Sequence, residues 1–309
     1  MDFKNEIHLI KTLCNFKRKS QYKMKIAVYN GFAFHYEMFG YIIEFCRDHR
    51  IKLDIYTETQ HQMKWIDFYI DFFPKCFTLQ KHTSYPPKND YDKIIVATDD
   101  DASFKDNWLN DRVIVIDHHY TNRRQIFPLH IGTRFFPSRP SLDWTLPVYR
   151  LIDLNIKKNV EKNAMVFIGT NARVDHRIIS KQFPTMICIF IDRYVDTYQI
   201  DTIYSYNNLS TPDLIYYLRC SSFVVVTDID TEHIDKKMSA SIPIALATLC
   251  TLVMPKKMNA YYKLSSAIEY ETLSDLTENM LKHDSSTVNK DLQHMIIHRN
   301  DVFKKYLVD

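Results

Sequence analysis

Short, unbroken apolar runs alternate with amphipathic helical segments along this chain, and the alternation occurs twice. Lys25–Asn30, Leu53–Thr57, Phe77–Leu79, Lys93–Thr98 and Val113–Asp117 read as strands. Between the first two, Met38, Tyr41, Ile42 and Phe45 recur at helical steps, and Trp65, Ile66, Tyr69 and Ile70 do so before Pro74. A strand that is apolar along its whole length needs cover on both faces. Strand–helix repeats supply that cover through right-handed crossovers, so the pattern predicts an α/β layer around a parallel sheet. The pattern loosens over 126–147 and then restarts. Met165–Gly169, Met186–Ile191, Thr202–Tyr206, Phe223–Thr227 and Thr251–Pro255 read as strands, and Val174–Phe183, Thr211–Cys220 and Ser239–Leu249 as helices. Ser210 or Thr211 is the N-cap of the second of these. Thr272 to Asp275 resembles a capping box opening a helix, and a last amphipathic helix covers Val288–Tyr306.

Two rounds of this pattern in 309 residues predict two domains of about 150 residues each. The polar, Lys-rich stretch 155–163 is the candidate linker. It divides an N-terminal extension (1–24) and an α/β domain (25–154) from a second α/β domain (164–309), whose last helix can pack back on the first domain. The expected architecture is therefore two Rossmann-like domains with parallel sheets facing a cleft. Ligands of open α/β sheets bind beyond the carboxyl ends of the strands.

Composition narrows the function classes. Hydrophobic residues at 46% and charged residues at 25% exclude disorder for most of the chain. A net charge of +3 gives no basic footprint that calls for a nucleic-acid partner. The 4 glycines are Gly31, Gly40, Gly132 and Gly169, which excludes both the G-x-G-x-x-G turn and the P-loop. Cys14, Cys46, Cys76, Cys188, Cys220 and Cys250 form no C-x-x-C pair and read as reduced thiols of a cytoplasmic protein. The longest apolar stretch, Ser241–Pro255, is shorter than the roughly 20 residues a bilayer-spanning helix needs.

The chemistry-bearing residues lie just past the strand ends. Gly31 allows a tight turn after the first strand, and His35 stands near the following helix start, where the dipole lowers a histidine pKa and suits it to act as a neutral base. Asp99, Asp100 and Asp101 follow the Lys93–Thr98 run. Adjacent carboxylates repel unless a cation or protons relieve them. Val113–Asp117 leads into His118 and His119, an Asp-His-His resembling the DHH phosphoesterases, which bind two Mn²⁺ ions. That family also has an aspartate pair after its first strand, where this chain has Gly31 to His35. In the second half, Ser239, Ala240 and Ser241 precede an apolar helix, so its free N–H groups suit an anion such as a diphosphate. Gly169, Thr170, Asn171 and Arg173 complete that site, with Arg173 offering a bidentate charge.

Together, His35–Tyr41, Ala97–Asp101, Val115–His119, Pro137–Pro147 with Trp144, and Met238–Cys250 resemble the GT-B class of nucleotide-sugar glycosyltransferases, and among them the putative glycosyltransferases of large DNA viruses. The resemblance implies a soluble enzyme of the cytoplasm (of the host, for a viral protein). It would transfer a hexosyl or pentosyl group from a nucleotide-diphosphate donor to a hydroxyl of a glycan or glycoprotein. It implies no metal or other cofactor, no nucleic acid and no transmembrane segment. Gly169, Arg173, Ser239, Ala240 and Ser241 would hold the diphosphate, and Tyr206 and Asn207 would approach the base. His35 or Asp100 would deprotonate the acceptor, with Gly31, Asp99, Asp117 and His118 on the acceptor side. Many members carry a ribose-binding Glu on the helix after the small-residue loop. Ile244–Ala247 has no carboxylate, and Glu232 or Asp235 takes its place. Three other readings compete: a Mn-dependent DHH-like phosphoesterase, a GT-A enzyme using Asp99 and Asp101 as D-x-D, and a non-catalytic nucleotide- or glycan-binding module.

Overall fold

A computed structural model describes residues 24–31, 37–57, 64–80, 86–97, 112–117, 129–136, 139–151, 163–227 and 238–308. The chain divides into two compact units, Met1–Ile131 with Asn300–Asp309, and Gly132–Arg299. The expected extension 1–24 and linker 155–163 lie outside the described residues, apart from Met24 and Asn163.

Unit 1 is built on a sheet of six strands: β1 (Lys25–Asn30), β2 (Lys52–Thr57), β3 (Thr78–Gln80), β4 (Lys93–Val96), β5 (Val113–Asp117) and β6 (Leu129–Gly132). Their order is β3-β2-β1-β4-β5-β6. The β1–β2, β1–β4, β2–β3 and β4–β5 pairs are parallel. Strand order reverses beside β1, the position at which doubly wound sheets open a crevice. Helix α1 (Glu37–His49) buries Phe39, Tyr41, Ile42, Ile43, Phe45 and Cys46 completely. Helix α2 (Trp65–Phe72) buries Trp65, Ile66, Phe68 and Tyr69. β6 is a strand the sequence pattern did not announce. Its Leu-His-Ile-Gly sequence carries a polar residue and a glycine, so it lacks the apolar run by which the others are recognised.

Unit 2 carries a seven-stranded sheet in the order β13-β12-β11-β7-β8-β10-β9. Its strands are β7 (Ala164–Ile168), β8 (Ile187–Ile191), β9 (Tyr198–Ile200), β10 (Ile203–Tyr206), β11 (Phe223–Val225), β12 (Thr251–Pro255) and β13 (Ile268–Tyr270). All neighbours pair in parallel except the edge hairpin of β9 and β10. The helices are α3 (His176–Gln182), α4 (Thr211–Arg219), α5 (Ser241–Ala247), α6 (Lys256–Tyr262) and α7 (Ser285–Leu307). Ser210 is the N-cap of α4 and its Oγ accepts from the Asp213 backbone N–H. The capping box at Thr272 and Asp275 is present, but it closes a single 3₁₀ turn, Leu273–Asp275, not an α-helix.

α7 passes from one unit into the other. Within unit 2, the Arg299 Nη1 donates to the Val148 carbonyl at 3.0 Å and the His298 ring lies 4.7 Å from that of Trp144. From Asn300 onward it belongs to unit 1, where the fully buried Phe303 packs on Tyr41 at 5.3 Å and Phe45 at 5.1 Å. Among the described residues, no helix is long and apolar enough to cross a membrane. Burial pushes the Cys188 pKa up to about 12.

Two outcomes follow from α7. Phe303→Ala empties a ring site between two aromatics and should cost about 3–5 kcal/mol, read by urea unfolding. At the start of α7, Asp284 accepts from the Ser286 and Thr287 hydroxyls and the Ser286 N–H, which lowers its pKa from 3.8 to about 2. A depressed carboxylate pKa contributes stability above the unfolded value and loses it as pH falls through the folded one. Acid unfolding curves of the native chain and Asp284→Ala should therefore differ above pH 3.8 and converge through about pH 2.

Candidate functional site

In unit 1 several strands stay largely apolar until their last residue. β1 ends in Asn30, β2 in Thr57 and β5 in Asp117, each with no solvent exposure. Asn30 and Thr57 are register partners. Gly31 follows Asn30 and is half-buried. Asp117 accepts a hydrogen bond of 3.2 Å from Nδ1 of His130, which is also buried. A carboxylate at a buried strand end has to be paired or neutralised, and here an imidazole N–H from β6 does the pairing. His130 is absent from the sequence candidates because its strand is unannounced and 13 residues separate it from Asp117. The remaining unit 1 candidates, His35, Asp99, Asp100 and His118, lie outside the described residues, as do Asp101 and His119.

In unit 2 the loops after β7, β8, β10 and β11 carry the polar groups. Gly169 opens a 3₁₀ turn, Gly169–Ala172, with φ +62°. Other residues are strained in that region. No atom lies within 4 Å of the place its Cβ would take, so the requirement for glycine is conformational, not steric. Asn171, 5% exposed, ties three segments together. Its Nδ2 donates to the Ile168 carbonyl at 3.0 Å and to the Ser241 Oγ at 3.1 Å. Its Oδ1 accepts from the Thr227 N–H at 2.9 Å and the Thr227 hydroxyl at 3.1 Å. The turn after β7, the segment after β11 and the first residue of α5 are thereby held in one arrangement.

Ser239 and Ala240 lead into α5. Ala240 occupies the N-cap without a side-chain cap bond, and the Ser239 carbonyl accepts from the Ile242 N–H at 3.1 Å. The Ser239 N–H bonds the hydroxyl of Tyr262 at the end of α6, to which Arg134 also donates. Burial pushes that phenol up to about 12, against the pull of these two donors. Arg134 is itself fully buried, its guanidinium 5.1 Å from the Phe136 ring and 5.0 Å from that of Tyr261.

Arg173 follows the same 3₁₀ turn. Its Nε donates to the Asp192 Oδ2 at 2.6 Å, and its guanidinium lies 4.7 Å from the centre of the Tyr194 ring. Asp192 directly follows β8, and its Oδ1 accepts from the Arg193 N–H at 2.7 Å. Asn207 closes the same loop. Its Nδ2 donates to the carbonyls of Arg193 at 3.3 Å and Val195 at 3.1 Å, and its N–H donates to the Thr197 Oγ1 at 2.9 Å. Tyr206 accepts a 2.9 Å hydrogen bond from the Tyr217 hydroxyl. Burial comes first, and that bond second, in raising the Tyr217 pKa. The structure thus joins Gly169 and Ser241 through Asn171, and joins Arg173 and Asn207 through the loop after β8. Among the described residues, no group of three or more His, Cys, Asp or Glu is placed to hold a metal ion.

No family model and no curated protein matches this sequence. Solved structures do. A glycosyltransferase from Rickettsia africae ESF-5 superposes with a TM-score of 0.60 at 10% identity, over 94% of this chain and 100% of that one. A glycosyltransferase involved in avilamycin A biosynthesis gives 0.58 at 8% identity, over 92% and 97%. The UDP-GlcNAc 2-epimerase from Neisseria meningitidis, bound to UDP-GlcNAc, gives 0.54 at 10% identity, over 92% and 100%. The chain has a GT-B-like fold. The two parallel-sheet α/β units expected from the sequence are those of this fold.

Within the GT-B-like frame, Asp192, Arg193, Tyr194, Tyr262 and Arg134 are residues that sequence reasoning left out. Asp192 carried a usable signal, a carboxylate directly after an apolar strand. Tyr262 and Arg134 carried none, since their link to Ser239 exists only through tertiary packing. Asn171→Ala should lower stability by about 2–4 kcal/mol, because it removes a hub and leaves buried partners unsatisfied. Gly169→Ala should cost about 1–2 kcal/mol from the left-handed backbone alone. Denaturant melts of the two variants check both values.

Proposed function

We propose that the chain is a glycosyltransferase. Unit 2 binds a nucleotide-diphosphate sugar, and the sugar passes to a hydroxyl of a glycan or protein presented on unit 1, without a metal. The junction at Asn171 carries this reading. It gathers the Gly169 turn and the start of α5 at the carboxyl ends of parallel strands, where α/β sheets take their ligands, and Arg173 follows the same turn. The support from fold is the likeness to glycosyltransferases over more than nine-tenths of the chain.

In this reading Gly169 lets the backbone approach the diphosphate, Ala240 and Ser241 face it with backbone N–H groups, and Ser239 faces it with its hydroxyl. Arg173 neutralises phosphate charge as it develops on the leaving group. Tyr206 and Asn207 form the side toward the base. On unit 1, Gly31, Asp99, Asp117 and His118 form the acceptor side, and His35 or Asp100 removes the acceptor proton. The transferred group is a hexose or a pentose.

Thermal unfolding with a panel of nucleoside diphosphates and nucleotide sugars, with Mn²⁺ or chelator, tests the proposal. One nucleoside diphosphate at a hundred times its dissociation constant should add about 2.7 kcal/mol, in the presence of chelator. Arg173→Ala and Ser239→Tyr should abolish the shift. Stabilisation by Mn²⁺ alone, lost in Asp117→Ala, would replace the proposal with a phosphoesterase. Product analysis with the stabilising donor then separates transfer to an acceptor from isomerisation of the donor sugar, the chemistry named for the Neisseria meningitidis neighbour.

A further inference from the structure

The loop after β8 carries an aromatic ring flanked by two arginines. Tyr194 is 65% exposed, yet its ring is not bare. The guanidinium carbons of Arg173 and Arg193 each lie 4.7 Å from its centre. The two arginines come from different loops, one after β7 and one after β8, and they meet on one aromatic ring. The loop under that ring is fixed. Val195 is anchored in the unit 2 core, and Asn207 holds the carbonyls on both sides of Tyr194. The Asp192 carboxylate is 7% exposed and takes Nε of Arg173. One edge of that guanidinium is therefore spent on aiming it, and among the described residues its Nη groups make no hydrogen bond. Asp192 pairs with the Arg173 guanidinium and with the backbone N–H of Arg193, so the Arg193 side chain adds a second positive charge beside a cation already aimed by its carboxylate.

We propose that Asp192 and Tyr194 are positioning residues that hold Arg173 and Arg193 as a paired cation for the two phosphates of a nucleoside diphosphate. The inference rests on the nucleotide-sugar reading of unit 2 and deepens it. Guanidinium forks match phosphate oxygens in a plane, and a ring beneath them restricts their rotation before the ligand arrives, which lowers the ordering cost of binding. Two forks fit two anionic groups. The site therefore discriminates by phosphate number, and Tyr194 contributes through its π face and not through its hydroxyl.

Titration calorimetry on the full chain tests this, with inorganic pyrophosphate and, for each common base, the nucleoside, its monophosphate and its diphosphate. The native chain should prefer diphosphate to monophosphate. Tyr194→Leu should cut that preference about two- to fivefold, the range of an exposed cation–π contact, with nucleoside affinity unchanged. Tyr194→Phe should retain it, and Arg193→Gln should reduce it. Asp192→Asn should lower diphosphate affinity and spare the nucleoside. Tyr194 is exposed, so both of its variants fold, and their melts confirm it. A preference that survives Tyr194→Leu, or falls equally in Tyr194→Phe, overturns this inference and leaves the nucleotide-sugar reading standing. A native chain that binds none of these ligands overturns both.

Discussion

A parallel sheet covered on both faces gathers polar groups most readily where its strands end. Each backbone N–H and C=O within such a sheet is spent on the ladder, and each side chain points into an apolar layer. In this chain the consequence is visible strand by strand. β1, β2 and β5 finish in Asn30, Thr57 and Asp117, and β7 and β8 give way to Gly169 and Asp192. Asp54, buried in the middle of β2, is an exception, and it is held there by the Tyr91 hydroxyl at 2.8 Å and the Lys25 ammonium at 3.6 Å.

Gathering polar groups at an edge is not enough to make a site, since loops have to be held against one another. In unit 2 a buried amide does this. Asn171 offers two donors and an acceptor with two lone pairs, and it uses them on the chain after β7, after β11 and at α5. A side chain with one fewer polar group would leave one of these segments loose. The loop after β8 is held differently, by Asn207 on its carbonyls and by a carboxylate that is nearly buried and therefore needs its arginine. Both devices fix the backbone of the loops they join.

Much of the fold was legible in advance because apolar runs and helical stripes are local signals. The strands of unit 1 up to β5, the strands β7, β8, β10, β11 and β12 of unit 2, and the helices α1 to α5 and α7 all announce themselves within a few residues. The elements that escaped are short or mixed. β6 reads Leu-His-Ile-Gly, β9 and β13 are three-residue edge strands, and α6 has two lysines where a stripe would begin. The capping box at Thr272 is present as its sequence indicates, but it closes one 3₁₀ turn and opens no α-helix. A cap satisfies the first N–H groups of a turn but cannot oblige the chain to continue, which takes an apolar face to bury.

The candidate site divides along the same line. By itself, the sequence determined which residue types stand at which strand ends, because strand periodicity and the change from apolar to polar are written in consecutive residues. That includes the glycine at 169, the arginine at 173, the small residues 239–241 and the carboxylate at 117. Tertiary structure alone decided how they combine. That Asn171 meets Ser241 across 70 residues, that His130 meets Asp117, and that two arginines from separate loops meet on Tyr194 are outcomes of strand order, which places β6 beside β5 in one sheet and β7 between β8 and β11 in the other. Strand order depends on the packing of all layers at once. No short window of sequence contains that information, because the free energy that selects it comes from burying distant apolar faces together.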